Sequence, residues 1–225
     1  MSSSPHRPTC VVESMTPGRE CQRCPRLVAF RDGNRGAYPG WHNAPVPSFG
    51  DRDAWLLVVG LAPGLRGANR TGRPFTGDFA GALLYSTLLH FGLAEGRYDA
   101  CVDDGLTLKG CRITNAVRCV PPGNKPTPHE TAQCRFFLAA EITALPHLRA
   151  IVALGTVAHD TILAALGARK AAAPFRHGAR HVLSGDLILA DSYHCSRLNT
   201  NTGRLTEAMF HDVFAGLPNS SSRQP

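Results

Sequence analysis

The sequence predicts one α/β domain, a three-layer α/β/α sandwich on a central parallel sheet of four strands. Three observations point there. Short apolar runs alternate with stretches of helical periodicity, strand then helix, four times along the chain. The strand candidates are strongly apolar, as strands covered on both faces are. The composition, 43% hydrophobic and 18% charged over 225 residues, is globular, and the length suffices to bury roughly 70% of the unfolded surface.

In chain order, residues 1–14 and 218–225 are polar, Ser/Pro-rich tails around a domain over 15–217. Cys21-Gln22-Arg23-Cys24-Pro25 opens the domain, and residues 31–53, rich in Gly and Pro, read as a loop. The first strand is 55–59, followed by a long loop, a helix over 79–91 and a connection over 95–110. The second strand, 112–118, runs into Cys119 and the turn-rich PPGNKPTP. A helix over 128–144 follows, with Pro128 and Glu130 suiting a helix start. Strand 150–154 precedes a helix over 156–166. The basic stretch 168–184 has room for one short irregular strand. Strand 187–190 leads into Asp191-Ser192-Tyr193-His194, and a last helix covers 204–214.

The loop between the first strand and its helix, GLAPGLRGANRTGRPFTGDFAG at 60–81, is far longer than such a connection needs. Its glycines and prolines set backbone angles that other residues resist. It carries Arg66, Arg70, Arg73, Phe75 and Asp78 at a strand end, where open parallel sheets bind ligands. Neither Gly-x-Gly-x-x-Gly nor Gly-Lys-Ser/Thr occurs in it, which excludes dinucleotide and P-loop readings.

A balance of 24 Lys plus Arg against 17 Asp plus Glu gives a net charge of +7, a mild nucleic-acid signal. No apolar run approaches the length of a membrane span, and the N-terminus lacks the apolar core of a secretory signal. The chain is expected to be cytoplasmic, where structural disulfides are rare. Nothing in it calls for more than a monomer.

Of eight cysteines, Cys21 and Cys24 form a Cys-x2-Cys pair, and Cys119 and Cys134 bracket a Pro-rich turn and a helix. Four thiolates satisfy either tetrahedral zinc or a cubane iron–sulfur cluster, and spacing does not separate these. Pro25 and Pro121 near the ligands tilt the choice toward iron–sulfur. Cys10, Cys101, Cys111 and Cys195 lack partner spacing. His194 and Cys195 make a poor nucleophile–base pair, because neighbours on an extended segment point apart.

After the last strand comes HCSRLNTNTGRLT at 194–206. Together with the 60–81 loop, TNAVRCVPPGNKPTP at 114–128 and the four paired cysteines, it resembles the uracil-DNA glycosylase superfamily, specifically the iron–sulfur-containing family 5 (type b) enzymes. The resemblance spans about 15–217. It implies a uracil-DNA glycosylase-like fold and a structural 4Fe-4S cluster on Cys21, Cys24, Cys119 and Cys134, with zinc the lesser alternative.

The chemistry of excision fits these residues. A base attacked in a duplex must first rotate into a pocket. Phe75 is the stacking wall for it. The resemblance assigns Asn115 to the pyrimidine edge, for which it has both a donor and an acceptor. His194 is placed to hydrogen-bond the departing base as its ring carbonyl gains charge. Gly60, Ala62 and Asn199 complete the implied base-binding set. Ala62 stands where other superfamily members carry a polar water-activating side chain; the family 5 pattern also has alanine there. Asp78 is the nearest carboxylate for the water or the sugar cation, and it also sits where a helix N-cap belongs. Leu198 occupies the place of an apolar wedge. Arg66, Arg70, Arg73, Lys125, Arg197 and Arg204 would hold phosphates. The expected activity is monofunctional excision of uracil, and by family also hypoxanthine and other deaminated bases, from DNA. The rivals are a non-catalytic iron–sulfur nucleic-acid-binding module and a hydrolase of free nucleotides.

Overall fold

The computed structural model describes residues 16–218. The expected N-terminal tail, all but the first residue of the C-terminal one, and Cys10 lie outside the described residues. The chain runs through α1 (Pro25–Ala37), β1 (Phe49–Gly50), β2 (Leu56–Gly60), α2 (Ala68–Thr71), α3 (Phe79–His90), β3 (Ala94–Glu95), β4 (Thr107–Leu108) and β5 (Cys111–Asn115). It continues through α4 (Pro128–Ala144), β6 (Ala150–Leu154), α5 (Thr156–Ala165), β7 (Arg180–Val182), β8 (Ile188–Ser192), α6 (Arg197–Asn201) and α7 (Glu207–Ala215).

The four expected strands are present, mutually parallel and adjacent. The sheet is wider than four strands: β1 and β7 add antiparallel edges, giving the order β1-β5-β2-β6-β8-β7. Both edges are very short, which limits the unpaired backbone they offer to other chains.

Alternation along β2 builds the layers. Leu56 and Val58 enter one core with Leu84 and Leu88 of α3 and Phe210 and Phe214 of α7. Leu57 and Val59 enter the other with Leu138 and Ile142 of α4 and Ile162 of α5. Each of these side chains contributes roughly 1.5–3 kcal/mol by leaving water. Both faces of the central strands are covered, which is why they read as unbroken apolar runs.

Helix ends follow side-chain chemistry. Thr127 and Glu130 form a capping box on α4, with bonds of 3.2 and 2.7 Å. Thr206 caps α7, which therefore begins at Glu207 and not at residue 204. Helix α1 falls partly in the stretch expected to be loop. It starts at Pro25 behind Cys24, and its inward stripe, Leu27, Arg31 and Asn34, is two-thirds polar, so no apolar period announces it. No helix among the described residues is long and apolar enough to cross a membrane.

The register aligns the carboxyl ends of the parallel strands. Gly60 pairs with Asn115 and Leu154 with Ser192, so the segments following all four strands emerge along one edge.

Candidate active site

Gly60 ends β2 under two neighbours. A Cβ there would lie 2.5 Å from Asn115 Oδ1 and 2.5 Å from Phe75 Cζ. Only glycine lets the amide and the ring close over the strand end. Beyond it the loop winds through α2, and Gly72 leaves that helix at φ 82°. Phe75 follows at φ 54°, a left-handed conformation that costs a side-chain-bearing residue about 1–3 kcal/mol.

The surroundings over-determine that conformation. Tyr98 Oη donates to the Phe75 carbonyl at 3.1 Å and Tyr85 Oη to the Pro74 carbonyl at 2.6 Å. Arg73 grips buried Asp104 through two bonds of 2.8 and 2.6 Å and donates to Thr76 Oγ1 at 2.7 Å. A Cβ on Gly81 would fall 1.8 Å from the Phe75 carbonyl oxygen, so α3 packs directly on this turn. Tyr85, Tyr98 and Asp104 went unnoticed in the sequence, where nothing local links them to the loop.

Phe75, Asp78, Asn115 and His194, from three strand-end segments, line a single small cavity with Ala62 and Ala68. It adjoins a larger groove of about 1,230 Å³, the two sharing Ala62, Gly64, Asp78, Ala80 and His194. Asn115 is buried, and its Oδ1 has no hydrogen-bond partner among the described residues. An unmet buried acceptor costs about 1–3 kcal/mol, so a donor brought into the cavity gains by pairing with it. The His194 ring lies over Phe75 with centroids 5.9 Å apart and 28° between planes. Burial lowers its pKa to about 4, so the imidazole is neutral at pH 7 and carries one N–H. Asp78 caps α3, Oδ1 accepting from Gly81 N at 3.2 Å. Its Oδ2 faces Gly67 and Gly64, where a Cβ would lie 2.4 and 3.2 Å away. Burial raises its pKa above 3.8, against the backbone bonds that favour the charge. Cap and cavity wall are thus one side chain.

Two assignments need correction. Arg73 is 5% exposed and ion-paired to Asp104, with Phe49, Tyr85 and Tyr98 around its guanidinium. It braces the loop from inside and does not face a phosphate. Asn199 donates from Nδ2 to the His194 carbonyl at 2.8 Å, so it holds the histidine segment and does not line the base cavity. Arg66, Arg70, Lys125, Arg197 and Arg204 are exposed. Arg197 lies over the Phe79 ring at 5.2 Å and Arg204 over Tyr193 at 4.4 Å. Leu198, 73% exposed, projects from the start of α6 beside the groove. Asn124 and Val157, not singled out in the sequence, line that groove.

Cys21, Cys24, Cys119 and Cys134 surround a second, small cavity with Leu27, Val117 and Phe137. Cys24 is the N-cap of α1, and the Cys134 sulfur accepts the Arg118 N–H at 3.3 Å. Burial first, then the neighbouring thiols, push the Cys24 thiol up to about 11 and the Cys119 thiol up to about 12. Such thiols stay protonated unless a metal takes the proton's place.

A doubly covered, mainly parallel sheet whose strand ends converge on a small cavity is the architecture the sequence resemblance implied. The chain belongs to the uracil DNA glycosylase superfamily, whose profile matches residues 47–217. Within it, the chain is 50% identical over 198 residues to the type-5 uracil-DNA glycosylase of Thermus thermophilus, covering 86% of this chain and 90% of that protein. It is 45% identical to the type-5 uracil-DNA glycosylase of Pyrobaculum aerophilum, covering 86% and 85%. Against that of Mycobacterium tuberculosis the identity is 44%, covering 86% and 75%.

Proposed function

We propose that this protein is a monofunctional DNA glycosylase that opens base-excision repair by hydrolysing the N-glycosidic bond of uracil flipped out of DNA. The observation that carries the reading is the convergence of Phe75, Asp78, Asn115 and His194 on one cavity. The flipped base stacks on Phe75 and pairs its edge with the Asn115 amide, whose Oδ1 lacks any other partner among the described residues. As the bond breaks, its electrons leave with the base, and the neutral His194 donates an N–H to the carbonyl that gains charge. Asp78, the one carboxylate among the residues lining the cavity, stabilises the oxocarbenium-like sugar or orients the water that adds to C1′. The products are the free base and an abasic site. Ala62 does no acid–base work, so the load falls on Asp78.

The four cysteines hold a 4Fe-4S cluster. They line one pocket together, and Pro25 and Pro121 beside them favour that centre over tetrahedral zinc. When bound it braces α1 and the Pro-rich segment before α4. Exposed Arg66, Arg70, Lys125, Arg197 and Arg204 hold phosphates, and Leu198 fills the gap left by the base. The substrate is uracil-containing DNA, with hypoxanthine and other deaminated bases also accepted. The protein acts as a monomer in the cytoplasm.

The test is incubation with a uracil-containing duplex followed by alkali. Strand cleavage at the uracil is expected, and Asp78→Ala, Asn115→Ala and His194→Ala are each expected to lower the single-turnover rate by about 10²–10³ without loss of folding. An uncut strand favours the binding-module reading, and faster turnover of a free deoxynucleotide favours the nucleotide hydrolase. Wild-type rates in all three variants overturn the site.

A further inference from the structure

Helix α6 buries none of its five residues. Its side-chain hydrogen bonds are local: Asn199 Nδ2 donates to the His194 carbonyl at 2.8 Å and Thr200 Oγ1 to the Ser196 carbonyl at 3.2 Å. A helix this short, without a buried face, has little of its own to fix one orientation. Yet it carries Leu198, the most exposed large apolar side chain beside the groove. Its tie to another strand-end segment is Arg197, whose guanidinium lies over the Phe79 ring at 5.2 Å.

Phe79 is the first residue of α3, directly after its cap Asp78. Asp78 lines both cavity and groove, while Phe79 and Arg197 line the groove. Phe79 is also 41% exposed, a large apolar ring left at the surface at a helix start. The contact therefore joins the loop that bears the carboxylate to the segment that bears His194, at the groove that leads to both. Its chemistry contrasts with that of Arg73, whose fork is consumed by Asp104. A ring face holds a guanidinium without taking its N–H donors or cancelling its charge, so Arg197 is oriented and still free to meet an anion. We infer that Phe79 is a positioning residue for DNA: its ring sets Arg197, and with it Leu198 on the same short helix, against the strand beside a flipped nucleotide. The anion Arg197 meets there is a backbone phosphate. The inference rests on the DNA-glycosylase reading given above, and Phe79 itself touches no reacting atom.

The competing role is mutual shielding of ring and guanidinium at the surface, with no bearing on DNA. Phe79→Leu keeps an apolar residue at the helix start and deletes the ring face, Phe79→Tyr keeps the face, and Arg197→Gln deletes the charge. The full chain is titrated at several salt concentrations against a duplex holding 2′-fluoro-deoxyuridine, which resists cleavage, with 2-aminopurine beside it to report unstacking. Single-turnover excision is measured on the ordinary uracil duplex. A contact of this kind at an exposed site is worth a factor of about two to five. Phe79→Leu is therefore expected to raise Kd about threefold and to dim the 2-aminopurine signal, with the excision plateau nearly unchanged. Arg197→Gln is expected to weaken binding further and to lower the salt slope by about one. Adding Phe79→Leu to it should change Kd by less than about 1.5-fold, and Phe79→Tyr should stay close to wild type. A wild-type Kd in folded Phe79→Leu overturns the inference, as do losses that multiply in the double variant, since ring and guanidinium would then act independently. A wild-type chain that leaves the ordinary uracil duplex uncut is a separate result, visible before any variant is made: it overturns the glycosylase reading and the inference with it.

Discussion

The hydroxyl of Tyr98 tests whether the Phe75 conformation matters to base binding. Tyr98→Phe deletes one oxygen and with it the 3.1 Å bond to the Phe75 carbonyl. The ring remains, stacked on Tyr85 with centroids 4.5 Å apart, so packing is conserved. A neutral hydrogen bond contributes about 0.5–1.5 kcal/mol, while the left-handed backbone at Phe75 costs about 1–3 kcal/mol. Two other braces survive, the Tyr85 bond to Pro74 and the Arg73–Asp104 fork. The variant therefore still folds, but its preference for the stacked ring falls by about 1 kcal/mol, a factor of roughly five. Single-turnover excision of uracil from a duplex across enzyme concentrations should show half-saturation about fivefold higher with a nearly unchanged plateau. The melting temperature should fall by only about 2–4 °C. Unchanged half-saturation alongside a lowered melting temperature refutes the reasoning, because the bond would then serve stability alone. A plateau loss beyond about a hundredfold also refutes it, since the hydroxyl would then act on the reacting atoms. Asp104→Asn is the contrasting case. It strands Arg73 beside a neutral partner at a buried site, costs about 3–5 kcal/mol and should register first as instability.

On the proposed mechanism the active form has Asp78 charged and His194 neutral, and burial raises the Asp78 pKa above 3.8 and lowers that of His194 to about 4. Excision should therefore rise with pH through the acid range and level off near neutrality, and a single-turnover rate that increases on acidification would show that an imidazolium does the work. The buried pair His159–Asp191 gives a stability prediction. His159 Nδ1 meets Asp191 Oδ1 at 2.6 Å and Nε2 meets the Ala173 carbonyl at 2.8 Å, so both nitrogens face acceptors, an arrangement that favours the imidazolium. Burial opposes that charge, but the bond to Asp191 prevails and holds the pKa above 6.5. A raised folded pKa means stabilisation that is complete below about 6.5 and lost as pH climbs through the folded value. His159→Ala should cost about 3–5 kcal/mol at pH 6 and distinctly less at pH 9, by urea unfolding; an equal penalty at both would show that the ring is uncharged.

What the sequence disclosed and what it hid divide along the range of the interactions. The central strands were legible because their apolar runs are buried on both faces, and strand position alone then brought Asn115 and His194 to the same edge. Asp78 was legible twice over, since the residue that caps α3 is also the carboxylate in the cavity. In α1 the inward stripe is Leu27, Arg31 and Asn34, so polarity hid a buried face. Arg73 shows the same limit from the other side. In sequence it is indistinguishable from Arg66 and Arg70, because its partner Asp104 lies 31 residues away and nothing nearby announces the pair. An arginine's role is fixed by where its counter-charge lies, and that is a property of the fold. Arg73 found a carboxylate inside the protein and became part of the scaffold, while Arg66, Arg70, Arg197 and Arg204 remain exposed. Arg31, buried in α1, meets Glu20 and Asp32 at 3.8 and 3.6 Å across the protein surface and falls between these cases.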